Sequence, residues 1–256
     1  MMRLKLSLPA GFALVLGVAC AWTVVMGCDD EPAAPGPGTA AVANEPAATS
    51  APERPAAEQP ARDQPIQEAP ARARSSPLEP GAAAPMVTRS MRNIDGAQTS
   101  IGAVRGEKGT LVVFTCNHCP WAQAWEARLT ALGNEYRSLG IGVIAINPND
   151  SERYPEDGFE QMQVRAREAG MEFPYVVDET SDVARAYGAT KTPEAFLFGA
   201  DLTLVYHGAV DDNAHEEDQV EQRYLRDALQ ALATGATITR SETSALGCSI
   251  KFRGES

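Results

Sequence analysis

Apolar residues after Met86 follow two patterns, continuous runs and helical spacing. The continuous runs predict strands at residues 111–114, 141–146, 175–177, 195–198 and 203–206. Apolar residues spaced three and four apart predict helices at residues 120–139, 159–169, 182–187 and 220–233. Asp95-Gly96 adds a predicted hairpin turn. Strands that alternate with helices in this way predict an α/β fold with a central mixed sheet flanked by helices.

The first 28 residues have the pattern of an export signal. Arg3 and Lys5 precede an apolar run that continues almost unbroken to Gly27. Val25-Met26-Gly27 then stands directly before Cys28, as in a bacterial lipoprotein signal, and predicts lipidation of Cys28. An uncleaved signal anchor is the alternative, since about 20 apolar residues can cross a bilayer; Cys20 is a weaker lipidation candidate. Both alternatives place the rest of the chain outside the cytoplasmic membrane.

Residues 29–85 predict a disordered linker. They are almost wholly Ala, Pro, Glu, Gln, Ser and Arg, without an aromatic residue. Such a composition cannot bury enough apolar surface to offset the entropy of ordering. We therefore expect a signal peptide with a lipobox at 1–28, an Ala/Pro-rich tether at 29–85, and one folded domain at 86–256.

The charge of the chain narrows the range of partners. The net charge of −12 and the isoelectric point near 4.8 argue against nucleic-acid binding, because contact with phosphates requires a basic face. Acidity at this level mainly favours solubility.

Cys116 and Cys119 form the pair of cysteines that indicates chemistry. They are separated by two residues, follow the predicted strand at 111–114 and open the next predicted helix. Helix amides favour a thiolate at such a position, so the pair predicts a redox-active dithiol. We expect Cys116 to be exposed and to attack, and Cys119, one turn into the helix, to resolve the mixed disulfide. His118, when protonated, would stabilise the Cys116 thiolate.

Other interpretations of the cysteines remain open. Half of a zinc site has the same spacing, but only His118, His207, His215 and Cys248 could complete it, so we expect no metal. A purely structural disulfide is disfavoured, because a two-residue loop removes little entropy from the unfolded chain. Cys248 is either a third redox thiol that exchanges with Cys119 or a small buried residue.

A series of motifs resembles a known family. They are FTCNHCPW at 114–121, AINPND at 145–150, YPED at 154–157, FPY at 173–175, DET at 178–180, AYGA at 186–189, TP at 192–193, GAVDDN at 208–213 and GCSIK at 247–251. Their order resembles the thioredoxin-like superfamily, and within it the peroxiredoxin-like branch of redoxin (AhpC/TSA-type) proteins with Cys-x-x-Cys. The resemblance implies a thioredoxin-like fold and a cis bond between Thr192 and Pro193. It also implies that this turn faces the dithiol, with the Thr192 backbone free to pair with a substrate strand.

The chain departs from both groups that it resembles. Thioredoxins have Trp before the first cysteine and a buried Asp on the preceding strand, whereas Thr115 and the apolar run 111–114 occupy these places here. Proton handling must therefore differ. In peroxiredoxins the peroxide-reacting cysteine would align with Cys119, but Cys116 stands where that motif has threonine.

Together these features predict a thiol-disulfide oxidoreductase that is lipid-anchored in the cell envelope, facing the periplasm or the outside of the cytoplasmic membrane. We expect disulfide-bearing proteins or small molecules as substrates, a separate redox partner that resets the Cys116/Cys119 couple, and no cofactor. One alternative is a thiol peroxidase with Cys119 as the peroxide-reacting cysteine and Cys116 or Cys248 resolving. Another is a copper-binding module with His207 as a distal ligand. The direction of electron flow stays open.

Overall fold

The computed structural model describes residues 77–255. Its strands are β1 Met91–Asn93, β2 Gln98–Thr99, β3 Gly109–Phe114, β4 Ile141–Asn147, β5 Tyr175–Val177, β6 Lys191–Thr192, β7 Glu194–Gly199, β8 Leu204–Gly208 and β9 Cys248–Ser249. Its α-helices are α1 Pro120–Ser138, α2 Phe159–Ala169, α3 Asp182–Tyr187 and α4 Tyr224–Thr234. Two short 3₁₀ turns lie at Pro155–Asp157 and Glu217–Gln219.

Seven of these strands form one mixed sheet, in the order β2-β1-β5-β4-β3-β7-β8. The central strands β3, β4 and β5 are parallel; β1 pairs antiparallel with β5, β7 pairs antiparallel with β3, and β8 pairs antiparallel with β7. The short strands β6 and β9 pair with each other in a separate ladder. This sheet with helices on both faces confirms the predicted α/β architecture and the thioredoxin-like fold.

The sheet is buried on both faces, which explains the continuous apolar runs. Along β3, Leu111 and Val113 pack with residues of α1, α2 and α4, whereas Val112 and Phe114 pack with α3 and with both ends of the described chain. Successive side chains of a strand point to opposite faces, so a strand covered on both sides carries apolar residues throughout. β3 therefore sits in the centre of the core, and its carboxyl end positions the residues that follow it.

Helix α1 carries the apolar stripe that the sequence predicts. Trp125, Leu129, Leu132 and Tyr136 are buried against the sheet. Gly133 lies among them because Phe173 packs on it: a Cβ there would come within 2.3 Å of the Phe173 ring. The helix ends one residue earlier than predicted.

Three boundaries differ further from the prediction. α4 starts at Tyr224 rather than at 220, because the backbone at Val220 is extended and Arg223 is the N-cap of the helix. The strand predicted at 203–206 spans Leu204–Gly208. Residues 77–85, assigned above to the linker, pack on the domain: Ala83 pairs with Thr203, and the Gly81 N–H donates to the Leu204 carbonyl at 2.8 Å. The folded domain therefore begins before Met86.

The signal peptide, Cys28 and most of the predicted linker lie outside the described residues. Within residues 77–255, no helix is both long and apolar enough to span a bilayer.

Candidate active site

The two cysteines lie between β3 and α1. Cys119 is the N-cap of α1, and Pro120 occupies the first turn. Both cysteines are free thiols, with Cys116 3% exposed and Cys119 0% exposed. The expectations of an exposed Cys116 and of a Cys119 one turn into the helix are therefore wrong. The Cys119 side chain accepts no capping hydrogen bond, but it lies beside the unpaired N–H groups of the helix start, and the Ala122 N–H contributes to lowering its pKa.

Thr192 and Pro193 face the dithiol, and the bond between them is cis, as the resemblance implies. The Thr192 hydroxyl lies 3.2 Å from the Cys116 sulfur, and the Cys119 thiol donates to the Thr192 carbonyl oxygen at 3.1 Å. A single buried residue therefore contacts both sulfurs. We call residues 190–193 the cis-proline turn.

A buried carboxylate that the sequence did not indicate lies beside the cysteines. Asp157, after β4, is 2% exposed. One carboxylate oxygen accepts the N–H groups of Asn117 at 2.7 Å and His118 at 3.2 Å. The other lies 2.5 Å from Nδ1 of His118 and accepts the Asn149 side-chain amide at 2.8 Å. Both oxygens thus have two partners, as a buried carboxylate requires.

A signal for Asp157 was present in the predicted topology. The carboxyl ends of neighbouring parallel strands lie at the same edge of a sheet. Residues after the strand at 141–146 were therefore candidates to meet those after the strand at 111–114. The distance along the sequence between Asp157 and Cys116 does not indicate that the two residues are neighbours.

His118 connects this carboxylate to solvent. Its side chain is 21% exposed, and its ring stacks on Tyr154 with the centroids 4.9 Å apart. Cys116, His118 and Asp157 have donor atoms that all lie within 4.8 Å of one another. An imidazole that is bonded to a carboxylate and lies close to a thiol is suited to accept and return a proton.

The loop between the two cysteines is held by side-chain hydrogen bonds. The Asn117 side-chain amide donates to the Glu156 carbonyl at 2.8 Å, and the Tyr175 hydroxyl donates to the Asn117 side-chain oxygen at 3.0 Å. The Gln123 side chain donates to the Asn117 carbonyl at 2.7 Å. Residues from α1, β5 and the 3₁₀ turn therefore fix the spacing of the sulfurs.

The structure brings Cys248 to the same place. β9 pairs with β6 so that Cys248 lies opposite Thr192. Cys248 is half-buried and packs against the cluster of Cys116, Cys119 and Ala122. The thiol and the N–H of Cys248 both lower the pKa of Cys119. Cys119 therefore has a second cysteine within contact.

Hydrogen bonds favour Cys119 as the thiolate of the reduced site. The Cys116 thiol, the Cys248 thiol and two backbone N–H groups lower the pKa of Cys119 to about 4, against the effect of burial. The bond to Cys119, burial and the Asp157 charge raise the pKa of Cys116. Burial and the bond to Cys119 raise the pKa of Cys248 to about 11. The thiolate loses the bond to the Thr192 carbonyl, which offsets part of its stabilisation.

This charge distribution differs from the roles expected from the sequence, in which Cys116 carries the thiolate. The largest cause of the difference is the Cys116 thiol, which lowers the pKa of Cys119. The assignment of attacking and resolving sulfurs stays a prediction.

A second buried carboxylate supports the cis-proline turn. Glu194, 3% exposed, accepts the N–H groups of Thr190 at 2.8 Å and Lys191 at 2.9 Å on one oxygen. Its other oxygen lies 2.7 Å from Nε2 of His207. His207, considered above as a copper ligand, thus contacts the carboxylate that holds the cis-proline turn.

Over residues 77–255, Cys116, His118 and Asp157 are the side chains grouped closely enough to hold a metal ion. Both oxygens of Asp157 and Nδ1 of His118 already have hydrogen-bond partners. Cys248 and His207 do not belong to this group. The hydrogen bonding is complete without an ion.

Known proteins resemble this chain in sequence and in structure. A curated relative, the thiol-disulfide oxidoreductase ResA of Halalkalibacterium halodurans, is 25% identical over 129 residues, which cover 50% of this chain and 69% of that protein. The structure of an uncharacterized conserved protein from Geobacillus kaustophilus is 36% identical, covers 70% of this chain and 94% of its own, and has a TM-score of 0.64. That of a hypothetical protein from Sinorhizobium meliloti 1021 is 30% identical, covers 70% and 97%, and has a TM-score of 0.65.

A sequence profile of the AhpC/TSA family matches residues 80–207, half of the chain. The match contains both residues of the dithiol, Asp157 and the cis-proline turn. The chain therefore belongs to the AhpC/TSA family.

Proposed function

We propose that this protein is a thiol-disulfide oxidoreductase that works through the Cys116/Cys119 couple. The observation that carries the proposal is the pair of contacting free thiols between β3 and α1, beside the cis-proline turn and the His118–Asp157 pair. The similarity to ResA, a thiol-disulfide oxidoreductase, supports the same class of activity.

In this proposal the Cys119 thiolate attacks one sulfur of a substrate disulfide. A bond forms between that sulfur and Cys119, and the other substrate sulfur leaves as a thiolate. Cys116 gives its proton to the His118–Asp157 pair and attacks Cys119, which releases the second substrate sulfur and leaves the Cys116–Cys119 disulfide. The substrate gains two electrons and the couple loses two. The His118–Asp157 pair takes the place of the buried carboxylate that thioredoxins carry on the strand.

Serine variants of the two cysteines test both the activity and the roles. Cys116→Ser and Cys119→Ser should each abolish turnover of an insulin-type disulfide substrate. Cys116→Ser combined with Cys248→Ser should accumulate a mixed disulfide on Cys119, because both neighbouring thiols that could resolve it are then missing. Full turnover in either single variant would sink the proposal. The roles expected from the sequence would be restored by two results together: a mixed disulfide on Cys116 in the Cys119→Ser protein, and none on Cys119 in the variant that lacks Cys116.

A thiol peroxidase is the second candidate function. It is favoured by the position of Cys119, an N-cap thiolate directly before Pro120, which matches the peroxide-reacting cysteine of the family. Stopped-flow mixing with hydrogen peroxide distinguishes the candidates, since a peroxidase reacts orders of magnitude faster than free cysteine. A rate equal to that of free cysteine eliminates this candidate.

We further propose that the protein acts in the cell envelope, anchored by a lipid on Cys28. The pattern of residues 1–28 supports this location. Cys28→Ser should prevent lipidation. The mature, lipid-anchored form should then be absent from the membrane fraction, and the protein should be found as a soluble form or as the precursor that keeps its signal peptide. Mass spectrometry of the N-terminal peptide should find a lipidated Cys28 in the wild type. An unmodified Cys28 in the membrane fraction would instead indicate an uncleaved anchor.

A further inference from the structure

The dithiol is closed to solvent in this structure. Cys116 and Cys119 are 3% and 0% exposed, whereas Cys248 is half-buried. A partner that approaches from solvent therefore meets Cys248 before it meets either sulfur of the couple. Some route must connect the buried couple to partners outside.

The chain itself occupies the backbone edge next to the dithiol. β9 pairs antiparallel with β6, with Cys248 opposite Thr192 and Ser249 opposite Lys191. An extended peptide that added to this edge would need the same backbone groups. Gly247 makes the close approach possible, because a Cβ there would lie 2.2 Å from the Thr192 carbonyl oxygen.

The segment around Cys248 is anchored at both ends, with an exposed stretch directly before Cys248. After Cys248, Ile250 and Phe252 are buried in the core, and the Ile250 N–H donates to the Thr190 carbonyl at 3.0 Å. Before it, residues 241–243 pair with His207, and between them and Cys248 Leu246 is 46% exposed. Cys248 thus lies where a buried anchor meets an exposed stretch, and it keeps contact with Cys119.

We propose that Cys248 is a third redox thiol that exchanges with Cys119 and carries the disulfide from the buried couple to the surface. The proposal rests on the proposed function of the Cys116/Cys119 couple. It also defines the partner: a protein or small-molecule dithiol that reaches a half-buried cysteine, not an extended peptide that pairs with the cis-proline turn.

The exchange is balanced without a further reactant. Cys248 loses its proton and attacks Cys119 in the Cys116–Cys119 disulfide; the Cys119–Cys248 bond forms, and Cys116 leaves and takes up a proton. A thiolate of the partner dithiol then attacks Cys248, and Cys119 leaves. The second partner thiol closes the partner's own disulfide and frees Cys248. The partner loses two electrons and two protons, and the protein gains them.

The surroundings of Cys119 suit the leaving step. A sulfur that is more stable as a thiolate leaves faster in thiol-disulfide exchange. Cys119 lies at the start of α1, and the N–H groups of Ala122 and Cys248 lower its pKa, which favours its departure as a thiolate. The attacked sulfur, Cys248, is the more exposed of the two.

A pair of serine variants of the full-length protein tests the contact. Cys116→Ser leaves Cys119 and Cys248, and Cys119→Ser leaves Cys116 and Cys248. Each variant is equilibrated with reduced and oxidised glutathione at about 1 mM. Under these conditions two protein thiols that are in contact form a disulfide with each other in preference to a mixed disulfide with glutathione, because their effective concentration is higher. Tryptic peptides 109–128 and 241–251 each report one side of the cross-link.

Cys116→Ser should yield the linked pair of peptides, and Cys119→Ser should yield about tenfold less. Absence of the link in Cys116→Ser, or equal amounts in the two variants, would overturn the proposal. Circular dichroism confirms that both variants are folded.

A third variant separates this proposal from the proposed function. Cys248→Ser should lower turnover with a dithiol reductant about tenfold, while the Cys116–Cys119 disulfide still forms. Cys248→Ala should behave in the same way, which excludes an effect of the serine hydroxyl. Full turnover in both Cys248 variants, with Cys116→Ser and Cys119→Ser inactive, would refute the relay and leave the proposed function intact. Activity in all of the variants would refute the proposed function itself.

Discussion

Replacing Asp157 with Asn tests how much the buried carboxylate stabilises the site. The carboxylate accepts four hydrogen bonds, two on each oxygen. The Asn oxygen can keep the N–H groups of Asn117 and His118. The new amide, however, faces the Asn149 amide, donor against donor, and His118 must change tautomer. One orphaned buried donor costs about 1–3 kcal/mol, and the loss of charge from the remaining bonds adds about 1 kcal/mol. We therefore expect the free energy of unfolding to fall by about 2–4 kcal/mol.

Asp178→Asn is the matched control, because Asp157 and Asp178 are both 2% exposed. The Asp178 carboxyl accepts the Ala184 N–H at 2.9 Å, a bond that an Asn oxygen can keep. Burial also raises the pKa of Asp178 to about 6, so a neutral side chain is tolerated there. Urea unfolding at pH 7, followed by tryptophan fluorescence, should show a loss for Asp157→Asn and none for Asp178→Asn. Equal losses would refute the prediction, since burial alone would then set the cost.

Three further predictions concern pH, the C-terminal segment and the redox potential. The folded state binds a proton on Asp178 more tightly than the unfolded state, because burial raises its pKa from 3.8 to about 6. The wild type should therefore gain up to about 3 kcal/mol of stability over Asp178→Asn as the pH falls from 7 to 4, measured by urea unfolding; a constant difference contradicts this. Gly247→Ala should lower stability by about 1–3 kcal/mol and speed labelling of Cys119 by iodoacetamide, because the added methyl group displaces β9; unchanged labelling contradicts it. The stabilised Cys119 thiolate should make the reduction potential less negative than the about −270 mV of thioredoxin, measured against glutathione; a more negative value contradicts it.

The central elements of the fold could be predicted from the sequence because their pattern is set by burial. β3 and β4 are covered on both faces, and their residues 111–114 and 143–146 are apolar without interruption. Helix α1 is covered on one side, and its buried residues recur at helical spacing. Both patterns arise because a buried position requires an apolar residue. They can therefore be recognised from the order of apolar and polar residues in the sequence.

Parts of the site could not be predicted because they depend on pairing between distant segments. β6 and β9 have two residues each, too few for a periodic pattern. Residues 77–85 join the sheet edge through backbone groups, which an Ala- and Pro-rich composition does not reveal. Asp157 contacts His118 only because β4 lies beside β3.

The start of α1 shows how one residue can change a chemical prediction. A strand followed by Cys-x-x-Cys and a helix leaves open which cysteine receives the helix N–H groups. Pro120 fits the first turn of a helix, since its missing N–H has no partner there in any case. The helix therefore begins after Cys119, which makes the second cysteine the N-cap. The second cysteine is also the one whose pKa is lowered.

The cover over the dithiol also imposes an order on biosynthesis. Cys116 and Cys119 are made well before Gly247 and Cys248, and the anchors Ile250 and Phe252 follow later still. Until Gly247 and Cys248 have been made, the couple has no β9 beside it, and thiol reagents can reach its sulfurs directly. Pairing of β9 with β6 then encloses the sulfurs. The couple is thus most accessible during synthesis, before its last neighbouring strand has formed.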